Sequence, residues 1–110
     1  MLKIAMSAAA SSLLRALIAR AGVPRDRILL TELQSTDWQS LTLTGERHVF
    51  ELRVSAPHSD RIAERMCAGL EDAEFSIPGL IVADIATTEV PVREKDGSTR
   101  VTIEALTIEE

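Results

Sequence analysis

The clearest alternation of apolar and polar positions lies between Arg27 and Ala56. In its second half Phe50, Leu52 and Val54 are apolar, and the residues between them are polar. A period of two is typical of a β-strand with one buried face. The pattern predicts two strands around a polar loop that carries the only tryptophan: strand one from about Arg27 to Gln34, the loop from Ser35 to Gly45, and strand two from Glu46 to Ser55.

Two other stretches have apolar residues at helical spacing. The first covers 8–21, and Gly22 and Pro24 follow it as helix-ending residues. The second covers 60–73, where Ser59 is the predicted N-cap and Gly69 lies inside the predicted helix. Each helix has one apolar stripe and is expected to pack on a sheet.

The last third of the chain predicts a second hairpin. Strand three runs from Leu80 to Val90, and its apolar start, 80–83, predicts a central strand. Asp96 and Gly97 form a turn signal. Strand four then covers Thr99 to Ile108, and its alternation slips at Ala105–Leu106, which predicts a β-bulge.

These elements give the order α-β-β-α-β-β. The predicted fold class is α+β: a two-layer domain with an antiparallel four-stranded sheet and two helices packed on one face. A chain of 110 residues is one domain. Residues 1–7 are expected to be a loose N-terminal segment.

Charge argues against a protein that grips nucleic acid. Twelve basic and seventeen acidic residues give a net charge of −5, and the basic residues form no cluster. An acidic wall that DNA slides past remains compatible. The single cysteine excludes an internal disulfide, and no apolar run reaches the ~18–20 residues of a membrane span. We expect a soluble protein that is cytoplasmic when made.

No motif for catalysis, a cofactor or a metal ion is present. His48, His58 and Cys67 match no zinc spacing, and no orienting third group accompanies them. The structural interpretation is favoured for all three, with Cys67 as a small buried hydrophobe. We therefore expect no enzyme and no cofactor.

An assembly surface fits the chain better than a pocket. Tryptophan is enriched at interface hot spots, and strand edges can pair with another copy. The predicted subunit or tube interface comprises Asp37, Trp38, Gln39, Glu46 and Arg47 of the first hairpin, and Arg93 and Lys95 of the second.

Particular residues also resemble a known family. The segment Thr36-Asp37-Trp38-Gln39-Ser40 leads through a loop into 45–55, with the sequence GERHVFELRVS. A helix with Ile62-Ala63 follows, then a late strand and a terminal hairpin with Asp96-Gly97 and an alternating 100–108. Over Leu13 to Ile108 the chain resembles the tail-completion, or tail-terminator, proteins of long-tailed bacteriophages, most of all those of prophages and gene transfer agents.

The resemblance implies a structural role. Such a protein forms a hexameric ring at the head-proximal end of the tail tube, ends tube polymerisation and joins the tail to the head connector. Its partners would be further copies of itself (it can be a monomer in solution), the major tail tube protein and the head–tail connector. DNA would only pass through the lumen, and no membrane is involved. The protein would leave the cytoplasm as part of the tail or neck of the particle.

Two alternatives stay open from the sequence. The first is a small ferredoxin-like domain that binds a ligand or regulates, with a sheet face as its pocket. The second, an enzyme, has less support because no catalytic constellation is found.

Overall fold

A computed structural model describes residues 5–110 and has the predicted α+β architecture. Two helices pack on one face of an antiparallel sheet. Of the predicted loose segment, residues 1–4 lie outside the described residues, and Ser7 caps the first helix by accepting a hydrogen bond from the Ala10 amide. The helices and strands are α1 Ala8–Ala21, β1 Ile28–Gln39, β2 Thr44–Val54, α2 Ser59–Cys67, β3 Leu80–Thr87, β4 Val92–Arg93 and β5 Thr99–Glu109, with 3-10 turns at Arg25–Arg27 and Leu70–Asp72.

The sheet has five strands in place of the predicted four. Its order is β1-β2-β5-β3, and β4 also pairs with β5. The predicted strand 80–90 is shortened because β3 ends at Thr87, and an additional short strand, β4, follows Pro91, which cannot donate a backbone hydrogen bond. Both strands lie on the same edge of β5, so the sheet is still four strands wide.

The first hairpin is longer than predicted. β1 continues to Gln39 and pairs with β2 as far as Thr44, so the loop contains only residues 40–43. The prediction of a loop over 35–45 was wrong because Ser and Thr, although frequent in loops, here lie in paired strands. In the fold β2 also pairs with β5 as far as Gly45 and Ile108, and this support from a third strand overrides local composition. Trp38 therefore lies in a strand, opposite Gly45.

Two predictions about the second hairpin were also wrong. β3 is an edge strand and not a central one, and Ile81 is 51% exposed; β2 and β5 hold the central positions. The bulge lies in β3, between Val82 and Asp84, whereas β5 keeps a continuous register with β2. The slip at Ala105–Leu106 reflects burial of both side chains, on opposite faces of β5.

The core lies between the helices and the sheet. Phe50, Leu52 and Val54 are fully buried, as predicted from the alternation. The helix α1 also begins and ends as predicted, with Gly22 in the left-handed conformation at its C-terminus. The buried cluster comprises Ala10, Leu13, Leu14, Leu17, Ala21, Ile28, Phe50, Leu52, Val54, Ile62, Ala63, Met66, Leu70, Ile85, Val101, Ile103 and Ala105.

The second helix is shorter than predicted. It ends at Cys67, and Gly69, which was expected inside it, has φ +62° beyond its end. The Arg20 side chain donates hydrogen bonds to the carbonyl oxygens of Met66 and Ala68, so a side chain from α1 satisfies the end of α2. This contact between distant segments ends the helix where periodicity alone would extend it.

The start of α2 also differs from the prediction. The N-cap position is His58, whose side chain makes no capping hydrogen bond, and Ser59 is fully buried. The Ser59 hydroxyl donates to the Gly97 carbonyl oxygen at 2.6 Å and lies 2.8 Å from the Thr99 Oγ1. Ser59 therefore joins α2 to the turn between β4 and β5.

Candidate assembly surface

The seven residues predicted for the interface fall into two groups. Asp37, Trp38, Gln39, Glu46 and Arg47 lie at the same end of the paired strands β1 and β2. Strand alternation places Asp37 and Glu46 on the helix face of the sheet and Trp38 and Arg47 on the other face. We call this region, residues 37–47 and 107–110, the tip end. Arg93 and Lys95 lie at the opposite end of β5, in the region of residues 25–27, 53–61 and 92–100, which we call the base end.

The length of β5 separates the two ends. Arg93 pairs with Thr99, whereas Glu46 pairs with Thr107. At ~3.3 Å per residue these positions are roughly 26 Å apart along the strand. One copy of the protein therefore cannot form a single surface from both groups.

At the tip end, two carboxylates face each other. Asp37 lies directly opposite Glu46, and Glu109 lines the same cleft, which has a volume of about 310 Å³. Like charges at opposed positions destabilise a strand pair. The isolated domain carries this unfavourable pair, which a cationic partner would relieve.

The side chain of Trp38 is more buried than expected for a residue in a loop. Its side chain is half-buried and lines the cleft with Gly45. The backbone of β5 passes so close that a Cβ on Gly45 would lie 2.0 Å from the Thr107 carbonyl oxygen. Only glycine fits at this position, which the sequence assigned to the end of a loop.

Arg47 already has a partner within the chain. Its guanidinium lies 3.3 Å from the Glu104 carboxylate, on the sheet face opposite the helices. Both side chains are 41% exposed, and an ion pair in such a position contributes at most about 1 kcal/mol. Arg47 is available to another molecule only if this weak pair is broken.

His48 has a structural environment, as expected, although its partners were not foreseen. The imidazole is fully buried, with Nδ1 2.8 Å from the Ser35 hydroxyl and Nε2 2.9 Å from the Thr107 hydroxyl. Burial lowers the pKa of His48, and the nearby Glu46 carboxylate partly opposes this effect. A neutral imidazole has one donor and one acceptor nitrogen, which two hydroxyl groups can satisfy. This hydrogen-bonded row of polar side chains, Ser35, His48 and Thr107, ties β1, β2 and β5 together.

The contact between Ser35 and His48 also bears on the possibility of a nucleophile. An activated serine needs a base that a further group orients, usually a carboxylate. Here the second imidazole nitrogen meets a threonine hydroxyl. The arrangement therefore favours a structural role.

The other candidate residues stay separate. His58 is exposed beside α2, and Cys67 lies at the far end of that helix. Among residues 5–110, no group of three or more His, Cys, Asp or Glu side chains is placed to hold a metal ion.

The base end contains a cleft that the sequence did not predict. It has a volume of about 510 Å³ and lies between α2 and the segment before β4. Cys67 lines it and is only half-buried; burial raises the pKa of its thiol, and Arg20 partly opposes this. Arg93 bridges to Asp60 at 3.5 Å beside the cleft. No local signal marks this cleft, because α2 and the segment 90–93 meet only in the folded chain.

Lys95 lies in the turn that the Asp-Gly signal predicted. The Glu94 amide donates to the Ser98 carbonyl oxygen at 2.8 Å. Within this turn, hydrogen bonds from the hydroxyl and amide of Ser98 lower the pKa of Asp96. The turn is thus held by its own contacts and presents Lys95 at the base end.

Comparison of the chain with protein families, curated proteins and solved structures found no match. In the part of the chain that the structure describes, no helix has the length and apolar character needed to cross a membrane.

Proposed function

We propose that the protein is a tail terminator, a structural subunit of a phage-like tail or gene transfer agent particle. Copies form a ring at the head-proximal end of the tail tube, end its polymerisation and join it to the head connector. The protein assembles in the cytoplasm and then belongs to the tail or neck of the particle. DNA passes through the ring without being gripped.

The observation that carries the proposal is the β1–β2 hairpin. The segments that resemble tail terminators, 36–40 and 45–55, are the two arms of this one element. Every residue from Gln34 to Thr44 except Trp38 is exposed, and the loop 40–43 lies beyond the last pairing of β2 with β5 at Gly45. An exposed arm that ends in apolar side chains and carries an opposed acidic pair is more favourable in an assembly than in isolation.

The net charge of −5 supports the passage of DNA. A lumen lined by carboxylates repels the phosphate backbone, which lets DNA slide instead of binding. A ring structure with these carboxylates on its outer wall would contradict this part of the proposal.

A small-ligand or regulatory domain is the second candidate. The cleft of about 510 Å³ has the size of a small-molecule site and favours this function. Genomic position separates the two candidates: genes for a head–tail adaptor and a major tail protein beside this one support the terminator, and a metabolic operon contradicts it.

Deletion of the gene tests the proposal directly. In the source bacterium, induced particles are expected to have tails of irregular length and heads that are not joined to tails, seen by negative-stain electron microscopy. Expression of the wild-type chain should restore both features. Particles of normal tail length and normal joining after deletion would refute the function.

A further inference from the structure

The two ends of the molecule carry opposite charge. The tip end contains the carboxylates Asp37, Glu46, Glu109 and Glu110, and its Arg47 is paired with Glu104. The base end contains an excess of cations: Arg25, Arg27, Arg53, Arg61, Arg93, Lys95 and Arg100 against Asp26, Asp60, Glu94 and Asp96. Two of these cations are paired within the chain, Arg93 with Asp60 and Arg100 with Glu94. Opposite patches of this kind steer two molecules into a head-to-tail approach.

The two ends also differ in shape. The tip end finishes in the four-residue loop 40–43, where Leu41 is 105% exposed and Leu43 is 46% exposed. A hydrogen bond from the Ser40 amide to the Leu43 carbonyl oxygen closes the loop at 2.9 Å. The loop is therefore a narrow and ordered element that presents two leucines to solvent.

An apolar recess lies beside the base end. The cleft beside α2 is lined by the apolar side chains of Cys67, Ala68, Val90 and Pro91, among others. Val90 is 82% exposed. Asp60 and Glu64 also line the cleft, and Asp60 pairs with Arg93, so the lining itself does not attract an acidic arm. The attraction comes from the other cations of the base end.

A molecule cannot place its own loop in its own cleft. The two features lie at opposite ends of β5, and β1 and β2 are paired up to the loop, which prevents the arm from folding back. A loop 40–43 that docks in this cleft therefore belongs to another molecule. A second copy offers both an apolar loop and flanking carboxylates.

We propose that the loop 40–43 of one copy docks in the cleft between α2 and Val90–Pro91 of the next copy. The contact is heterologous, and a heterologous contact generates a ring when its rotation closes. It brings Asp37 and Glu46 of one copy towards Arg93 and Lys95 of its neighbour. The two groups of predicted interface residues, which one chain keeps apart, thus become the two halves of one interface. This inference rests on the proposed ring-forming function.

Disulfide trapping tests the contact because Cys67, the only cysteine, lines the cleft. The variant Leu41→Cys places a second thiol on the loop. The full-length protein is concentrated and oxidised at mildly alkaline pH, since burial raises the pKa of Cys67. The expected result is a ladder of covalent oligomers on a non-reducing gel, with a mapped crosslink between the loop peptide and the peptide that contains Cys67.

Two matched variants control the experiment. Addition of Cys67→Ser should abolish the ladder, leaving no more than dimers joined through the loop. Leu29→Cys places a thiol at another exposed leucine, 62% accessible and distant from the loop, and should give no ladder. A crosslink to Cys67 no stronger than in Leu29→Cys would overturn the proposal, as would a product joined only from loop to loop.

A mixing experiment tests the head-to-tail arrangement. Leu41→Asp removes the apolar loop and leaves the cleft intact, whereas Val90→Asp does the reverse. Trapping is repeated with a mixture of two chains. One carries both Leu41→Cys and Val90→Asp and keeps only the loop; the other carries Leu41→Asp and keeps only the cleft. Dimers should form and longer ladders should be lost, because each chain can contribute only one side of the contact. Ladders of undiminished length would contradict the docking.

The two proposals can fail separately. If the Cys67 crosslink forms but deletion of the gene leaves tails normal, the proposed function is wrong and the interface stands. If deletion disturbs the tails but the crosslink forms neither in the concentrated protein nor in oxidised particles that carry Leu41→Cys, the function stands and this docking contact is wrong.

Discussion

Leu52→Ala is expected to remove a large share of the stability of the domain. Leu52 is fully buried in β2, a central strand of the sheet, opposite Leu30 of β1 and Val101 of β5. Truncation of a buried leucine costs about 2–5 kcal/mol, because transfer free energy is lost and a cavity remains. Paired strands on both sides limit collapse of that cavity, so we expect about 3 kcal/mol or more. A domain of this size has only ~5–15 kcal/mol to lose.

The measurement is urea unfolding of purified protein, followed by far-UV circular dichroism. Tryptophan fluorescence is not used, because Trp38 lies at the tip end and reports only on that region. In a thermal melt, a loss of about 3 kcal/mol corresponds to a fall in Tm of roughly 12 °C. Leu29→Ala is the matched control: Leu29 neighbours this region on β1 but is 62% exposed, so its loss should change stability by about 0.5 kcal/mol or less. Equal effects of the two variants would refute the assignment of the buried face.

Three further predictions concern the tip end and the polar row beside it. Trp38→Ala should leave the domain folded but impair assembly, because its half-buried ring lines the tip cleft and lies outside the core cluster. Gly45→Ala should destabilise the domain by about 1–3 kcal/mol, because the new Cβ would overlap the Thr107 carbonyl oxygen. Stability should fall as the pH drops below about 6.5, because the unfolded chain takes up a proton that burial disfavours on His48.

Each of these has its own check. Thermal unfolding and particle morphology are compared for Trp38→Ala, and a lost thermal transition would make Trp38 a core residue. Thr44→Ala is the control for Gly45→Ala and should have little effect on the unfolding midpoint. For the pH series, the contribution of neutral His48 to the free energy of unfolding is fully present above pH about 6.5. It declines as the pH falls from there to the lower pKa of His48 in the folded state. His58→Gln, at an exposed site, should keep this decline, whereas His48→Gln should flatten it.

Much of the fold follows from local pattern. The alternation of Phe50, Leu52 and Val54 predicted the buried face of β2, and helical spacing predicted the buried stripe of α1. Gly22 and the Asp96-Gly97 turn were likewise predicted, because caps and tight turns depend on the conformations of a few adjacent residues. The five residues of the first hairpin came together because they are close along the chain.

The remaining features depend on contacts between distant segments. The length of the first hairpin, and with it the position of Trp38 in a strand, is supported by β5, about sixty residues later in the chain. The hydroxyl partners of His48 come from β1 and β5, and the cleft at Cys67 forms only where α2 meets Val90–Pro91. None of these partners is specified by the periodicity of its own segment.

The sequence by itself thus determined the two helices, the two long strands of the first hairpin and the faces that α1 and β2 bury. The tertiary structure alone decided which strands are central and where α2 ends. It also separated Asp37 and Glu46 from Arg93 and Lys95 by the length of β5. The physical reason is that a side-chain period records which face of an element is buried, whereas strand order depends on long-range pairing between segments.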